Sequence, residues 1–232
     1  MINLLKPMYV GSKIRLGRDR DGGYITTEKS VNDSVALFSY GVSDDISFEE
    51  DYIKLSGKNS HSFDHTINGI KTSFPQNFLF NKEGLSGTKK LYANNFIEHY
   101  NQRNINDRVL LKMDIEGAEY EYFYNTNIEM LSKITTSIIV EFHNLDSEIY
   151  RNKFINCISK LQEFFYICHI HGNNASNTFN IDNYTVPNIL EITFVPKELN
   201  PSAIIDTATY PTELDRPNIF FKPDYDLSFL SL

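Results

Sequence analysis

Short apolar runs recur along the chain, most of them followed by a polar turn and then by apolar positions at helical spacing. Val35-Ala36-Leu37-Phe38 reads as a buried strand, Gly41 and Ser43 as a tight turn, and Phe48, Tyr52 and Leu55 as the inner stripe of a helix. His61–His65 is a short strand ending in Asp64; Asn77-Phe78-Leu79-Phe80 is another, with a helix around Leu91–Tyr100. Val109-Leu110-Leu111 runs into the turn Asp114-Ile115-Glu116-Gly117, and Tyr120, Phe123, Tyr124, Ile128 and Leu131 then follow at helical spacing. Ser137–His143 is a further buried strand, and a helix over 147–163 has Phe154, Ile155, Ile158 and Leu161 inward. Phe165–Ile170 and Leu190–Val195 read as strands with no clear helix between them. This alternation predicts an α/β fold: a mostly parallel sheet with an antiparallel hairpin at one edge.

The ends of the chain read differently. Asp21-Gly22-Gly23 is a strong turn signal between Ile14-Arg15-Leu16 and Tyr24-Ile25-Thr26, so residues 1–30 form a hairpin whose charge suits a ligand-facing, lid-like loop. The tail, 197–232, carries Pro201, Pro211, Pro217 and Pro223 and reads as an irregular wrap. With the core over 35–195, the 232 residues make one domain, 1–232.

Composition narrows the function. A net charge of −8 argues against a nucleic-acid partner and favours a small-molecule or glycan-linked one. No apolar run approaches a membrane span, and the N-terminus lacks the apolar core of a signal peptide. Cys157 and Cys168 match no metal or redox spacing and read as buried thiols, so the expected location is the cytoplasm. Oligomeric state is not legible.

The chemistry gathers at strand ends, where open α/β sheets bind ligands. Asp114 and Glu116 follow one strand, with Glu116 at the expected start of a helix. Period two puts Glu141 and His143 on one face of the next strand, and His169 and His171 likewise share a face. Asp64 lies 23 residues after Gly41, near the spacing at which an acidic residue meets ribose hydroxyls. Asp44 and Asp45 repel phosphate at the Gly41 corner and suit a ligand with a sulfonium or ammonium charge.

Five pieces in order carry a resemblance: Asp21-Gly22-Gly23-Tyr24, the corner at 39–49, Ser62-Phe63-Asp64, the Leu-Lys-Met-Asp-Ile-Glu-Gly-Ala-Glu stretch at 111–119, and Glu141-Phe142-His143. With them the chain resembles the FkbM-like family of class I S-adenosylmethionine-dependent methyltransferases over residues 14–195. The resemblance implies a Rossmann-like, seven-stranded sheet with a reversed hairpin, and O-methylation of a sugar, nucleotide-sugar or other small polar metabolite. By position it implies that Gly41 and Ser43 border the methionine part of the cofactor, that Asp64 holds the ribose, and that Asp114 lies beside the transferred methyl; Gly22, Gly23, Tyr24 and Glu116 join the cofactor set.

A hydroxyl acceptor needs a base. The candidates are His143 first, then Asp114, Glu116, Glu141, His169 and His171. Asp114, Glu141 and His143, with help from His169 or His171, also suit a divalent metal, Mg²⁺ or Mn²⁺. A metal-dependent phosphoesterase or nuclease using Asp64, Asp114, Glu116 and Glu141, and a binding domain without turnover, stay open at this point.

Overall fold

The computed structural model describes residues 1–231. The strands of its main sheet are β1 (Ala36–Tyr40), β2 (Asn59–Phe63), β3 (Phe78–Asn81), β4 (Val109–Met113), β5 (Thr135–Phe142), β6 (Phe165–Gly172) and β7 (Leu190–Pro196). Among the described residues they form one seven-stranded sheet in the order β3-β2-β1-β4-β5-β7-β6. β3 through β5 run parallel, while β7 is antiparallel to both β5 and β6. The fold is therefore α/β with a reversed edge, as the alternation predicts.

The helices are α1 (Glu28–Asp33), α2 (Ser47–Ser56), α3 (Phe96–Gln102), α4 (Glu119–Asn125), α5 (Ile128–Ile134) and α6 (Glu148–Leu161). Local chemistry sets several of their ends. Thr27, Asn95 and Asn127 each accept a backbone N–H three residues on at α1, α3 and α5. Gly57, left-handed at φ +68°, ends α2.

Alternation along the strands sorts the sheet into two unlike faces. Phe38, Tyr40, Leu111, Met113, Val140 and Phe142 pack with residues of α3 to α6 in the larger core. Leu37, Leu110 and Ile139 pack with α1, α2 and the hairpin Lys13–Leu16/Tyr24–Thr27 in a smaller one. The second face also carries buried polar groups, and the tail closes over them. His169 Nε2 donates to Asp215 at 2.9 Å, and His171 donates from Nδ1 to Glu191 and from Nε2 to Asp224, each at 3.0 Å. Asn174 holds the carbonyls of Ile219, Lys222 and Pro223 and accepts the Ile219 N–H.

Several positions differ from the expected pattern. Leu55 is 60% exposed, because α2 turns Phe48, Glu49, Tyr52 and Ile53 inward and the buried stripe contains a glutamate. Tyr124 is 82% exposed, and the long helix expected after Gly117 is two helices. It breaks where Thr126 bonds back to Tyr122 and Asn127 caps α5, with the Lys160 ammonium on the carbonyls of Phe123, Tyr124 and Thr126. The helix expected from Leu91 begins at Phe96, and a hairpin over Thr178–Ile181 and Tyr184–Pro187 fills the connection between β6 and β7. No helix among the described residues is long and apolar enough to cross a membrane.

Two predictions follow from this packing. Gly41 has φ +74°, and a Cβ there would lie 1.6 Å from the Asp114 carbonyl oxygen; Gly57 shares the left-handed backbone with nothing within 4 Å. Gly57→Ala is expected to cost about 1–2 kcal/mol of backbone strain and Gly41→Ala well beyond that, because overlap with a backbone atom adds to the strain; urea unfolding of the two variants checks it. Burial opposes protonation of His171, but Glu191 and Asp224 outweigh it and hold its pKa well above the usual 6.5. A raised folded-state pKa stabilises fully below the unfolded value and is lost as pH rises through the folded one. His171→Gln, which removes the cation between the buried Glu191 and the partly buried Asp224, is expected to cost about 3–5 kcal/mol at pH 6, with the gap from the parent narrowing at alkaline pH in urea titrations.

Candidate functional site

β4 delivers Asp114 to the carboxyl edge of the sheet, and the Asp114 N–H donates to the Tyr40 carbonyl at 3.0 Å. That pairing runs the Asp114 backbone across Gly41, where only hydrogen fits. The chain then turns through Glu116 and Gly117, both at positive φ, before α4 starts at Glu119. Glu116 consequently sits on the turn with its side chain 86% exposed, not at the helix start expected for it. Glu119 takes the first turn of α4 and is fully buried. Its Oε2 accepts the Gly117 N–H, and its Oε1 accepts the His143 N–H at 2.9 Å and faces His143 Nδ1 at 3.2 Å.

His143 is thus fixed from behind. Its Nε2 points at three carboxylates: Glu116 at 3.5 Å, Asp114 at 3.6 Å and Glu141 at 3.7 Å. Burial alone would lower the imidazole pKa, but the Glu119 hydrogen bond and the charges of Glu141, Glu119 and Asp114 raise it to about 9. Burial is also the leading reason that the pKa of Asp114 is raised and that of Glu141 is raised further, with Asp114 and Glu191 adding to the second. At neutral pH the imidazole therefore carries the proton, and proton-accepting capacity lies with the carboxylates.

Tyr24 and Asn173 hold the other side of this group. The Tyr24 hydroxyl lies 3.1 Å from Asp114 Oδ2 and 2.9 Å from Glu141 Oε2, and Asn173 donates to Glu141 Oε1 at 3.0 Å. One hydroxyl proton cannot serve both carboxylates at once; burial raises the pKa of Glu141, and the Tyr24 hydrogen bond works against that rise. Asp114 Oδ1 is left buried with no hydrogen-bond partner.

Beside Asp114 lies a cavity of about 240 Å³ whose walls include Gly41, Ser43, Phe63, Asp64, Leu85 and Glu116. Asp64 Oδ2 accepts the Ser43 N–H at 2.9 Å, and its Oδ1 accepts the N–H and hydroxyl of Thr66. These bonds clamp two turns around the cavity and leave the carboxylate one of its roughly four acceptor positions.

Of the residues read from the sequence, Gly41, Ser43, Asp64, Asp114 and Glu116 line this cavity, and Glu141 and His143 adjoin it through Asp114. Gly22 and Gly23 do not; their missing side chains make room for Asp45 and for the Arg18 carbonyl. Tyr24 reaches the site from beneath. Asp45 pairs with Arg18 and Asp44 with Lys71, and neither is among the residues that line the cavity. His169 and His171 lie under the tail with Asp215 and Asp224 as partners, because β6 is separated from β5 by β7 and the tail seals its polar face.

Three residues escaped the reading: Glu119, Lys112 and Glu49. Lys112 lies in an otherwise apolar strand, 3.9 Å from the fully buried Glu49 and over the Tyr24 ring. A lysine inside a buried run was the available signal.

The model of the family described as "Methyltransferase FkbM domain" matches residues 24–168, well over half of the chain. No curated protein matches it in sequence. Among solved structures, the chain is similar to a fibrillarin pre-rRNA processing protein from Methanococcus jannaschii, at 10% identity and a TM-score of 0.42, over 72% of this chain and 68% of that one. It is also similar to a protein from Streptococcus mutans described as a SAM-dependent methyltransferase, at 10% identity and a TM-score of 0.38, over 72% of this chain and 46% of that one. The chain thus spans under half the length of the second relative. On the match over 24–168, which takes in β1 to β5 and most of the site, this protein belongs to the FkbM methyltransferase domain family.

Proposed function

We propose that the chain uses S-adenosylmethionine to methylate a hydroxyl of a sugar, nucleotide-sugar or other small polar metabolite. The observation that carries the reading is Asp114, which lines the Gly41–Ser43–Asp64 cavity and whose Oδ1 is a buried acceptor with no hydrogen-bond partner. A hydroxyl donor is what such an atom lacks.

The cavity suits the cofactor's chemistry. Phe63, Leu85 and Ile115 offer apolar walls, Asp64 keeps an acceptor position for a ribose hydroxyl, and Asp114 and Glu116 bring negative charge near a sulfonium. When bound, the cofactor supplies an electrophilic methyl group and an excellent leaving group. The chain's own task is then to hold the acceptor hydroxyl in line and to take its proton.

Asp114 is assigned that second role. Burial raises its pKa above an ordinary aspartate's, which makes it the stronger base. His143, held protonated between Glu119 and the carboxylates, offsets the negative charge and keeps Asp114 and Glu141 in place. Tyr24 fixes the Asp114 rotamer. Glu116, exposed on its turn, is given only a share in cofactor charge.

Calorimetric titration with S-adenosylmethionine and S-adenosylhomocysteine is expected to show one site for each; folded protein that binds neither sinks the reading. On a panel of sugars and nucleotide-sugars, Asp114→Asn is expected to lower turnover by about 10²–10⁴-fold, the usual worth of a positioned base, and Glu116→Gln by under about tenfold. Equal, near-parental rates in the two variants would remove Asp114 from the role.

A further inference from the structure

The geometry points to a divalent-cation centre formed by Asp114 Oδ1, Glu141 Oε1 and His143 Nε2, with Mn²⁺ or Mg²⁺ as the occupant. These three residues bring one ligand atom each to within 4.8 Å of one another. From Nε2, the Asp114 and Glu141 oxygens lie at 3.6 Å and 3.7 Å. Those separations are too long for hydrogen bonds. Two ligands at about 2.1 Å from a shared ion are about 3.0 Å apart at a right angle and about 4.2 Å apart when opposed, so the observed spacing is that of ligands around a common centre.

The cluster is more than a group of acids. The His143 side chain is only 7% exposed, and among the described residues its Nε2 makes no hydrogen bond and faces the three carboxylates; Asp114 Oδ1 is buried and unpartnered. Each ligand is oriented by a group outside the centre. Glu119 holds His143 through Nδ1, Tyr24 holds Asp114 through Oδ2, and Tyr24 and Asn173 hold Glu141. A carboxylate behind a histidine is the outer arrangement that metal-binding histidines use, and the ion would take the place of the Nε2 proton that the imidazole carries without it, releasing that proton to solvent. Asn173 occupies one lone pair of Glu141 Oε1 and leaves the second.

Charge argues the same way. Asp114, Glu116, Glu119 and Glu141 surround one imidazole, and the adjacent Lys112 lies 3.9 Å from Glu49, which it also serves. Two carboxylate oxygens and one imidazole nitrogen suit Mn²⁺, which accepts both donor types, and Mg²⁺ competes through the oxygens. Three protein ligands leave positions open, so the centre would take an acceptor with two adjacent oxygens, such as a vicinal diol. That role for the ion rests on the methyltransferase reading above; binding of the ion does not.

The test uses Mn²⁺ alone with the full chain. Isothermal titration and the loss of the free-ion electron paramagnetic resonance signal are expected to show one site, with an anomalous peak between Asp114, Glu141 and His143 in Mn²⁺-soaked crystals. Glu119→Gln, which keeps all three ligands, is expected to weaken binding about 10–100-fold, and Glu141→Gln at least as much. Titration with S-adenosylhomocysteine on the same variants reports folding and separates the two readings. No Mn²⁺ binding by parental protein that binds S-adenosylhomocysteine overturns the centre and spares the methyltransferase; so does a peak elsewhere, or affinity unchanged in both variants. Mn²⁺ binding without any S-adenosylhomocysteine binding supports the centre and overturns the role given to it.

Discussion

The carboxyl edge of the sheet is governed by the cost of burying carboxylates. Asp114, Glu119, Glu141, Glu191 and Asp215 come together across β4, α4, β5, β7 and the tail, and four of the five are nearly or fully buried. An unpaired buried charge costs several kcal/mol, against a whole stability of about 5–15 kcal/mol for a domain. Every one of these groups must therefore find a donor or a proton, and the chain supplies them from far away. Tyr24 comes from the N-terminal hairpin, Asn173 from the end of β6, and Asn218 from the tail, where it donates to Glu191 at 2.8 Å. The hairpin and the tail are held to the sheet by the same bonds that make its acidic edge tolerable.

This accounts for the difference between the two faces. The α3–α6 side is sealed by aromatic packing, Phe142 against Phe154, Phe123 and Phe194, and contributes no titratable group to the cavity except through Glu119. The opposite face accepts polar side chains because irregular backbone can reach them. His169 and His171 illustrate the point: by sequence they could belong to the site, but two strand positions away from Glu141 the same carboxylate chemistry holds the tail down instead. Burial dominates the lowered pKa of His169 over the pull of Asp215, whereas Glu191 and Asp224 together overcome it at His171. At His169 burial outweighs its acid partner, and at His171 the acid partners outweigh burial.

What the sequence made legible was local. Strand–turn–helix alternation gives the sheet, and Gly41, Asp64 and Asp114 stand out because each directly follows a strand. Their meeting in one cavity follows from parallel strand order alone. Pairings that span the chain were not legible, because no periodicity relates Tyr24 to Glu141 or His171 to Asp224. Leu55 shows a subtler failure: a glutamate in the buried stripe of α2, paired with a lysine inside β4, shifts the inward face by one position. Glu116 was given the helix start because it follows the strand directly, while two left-handed residues delay the helix and hand that place to Glu119.

Cavity size would have chosen a different site. Spaces of about 400 Å³ between α4 and α6 and about 680 Å³ between the N-terminal segment and the tail both exceed the 240 Å³ beside Asp114. Around the first, Lys160 is spent on helix carbonyls and the Cys157 thiol is pushed up to about 12 by burial, so it holds no ready nucleophile or base. In the second, Lys13 and Asp206 are paired at 2.8 Å, and the Tyr210 hydroxyl completes that bond. In both spaces these groups are held by partners within the protein. Of these three spaces, the one beside Asp114 adjoins a buried oxygen without a partner and an imidazole nitrogen that reaches no acceptor, and it is unsatisfied valence, more than volume, that a reacting hydroxyl or a cation can answer.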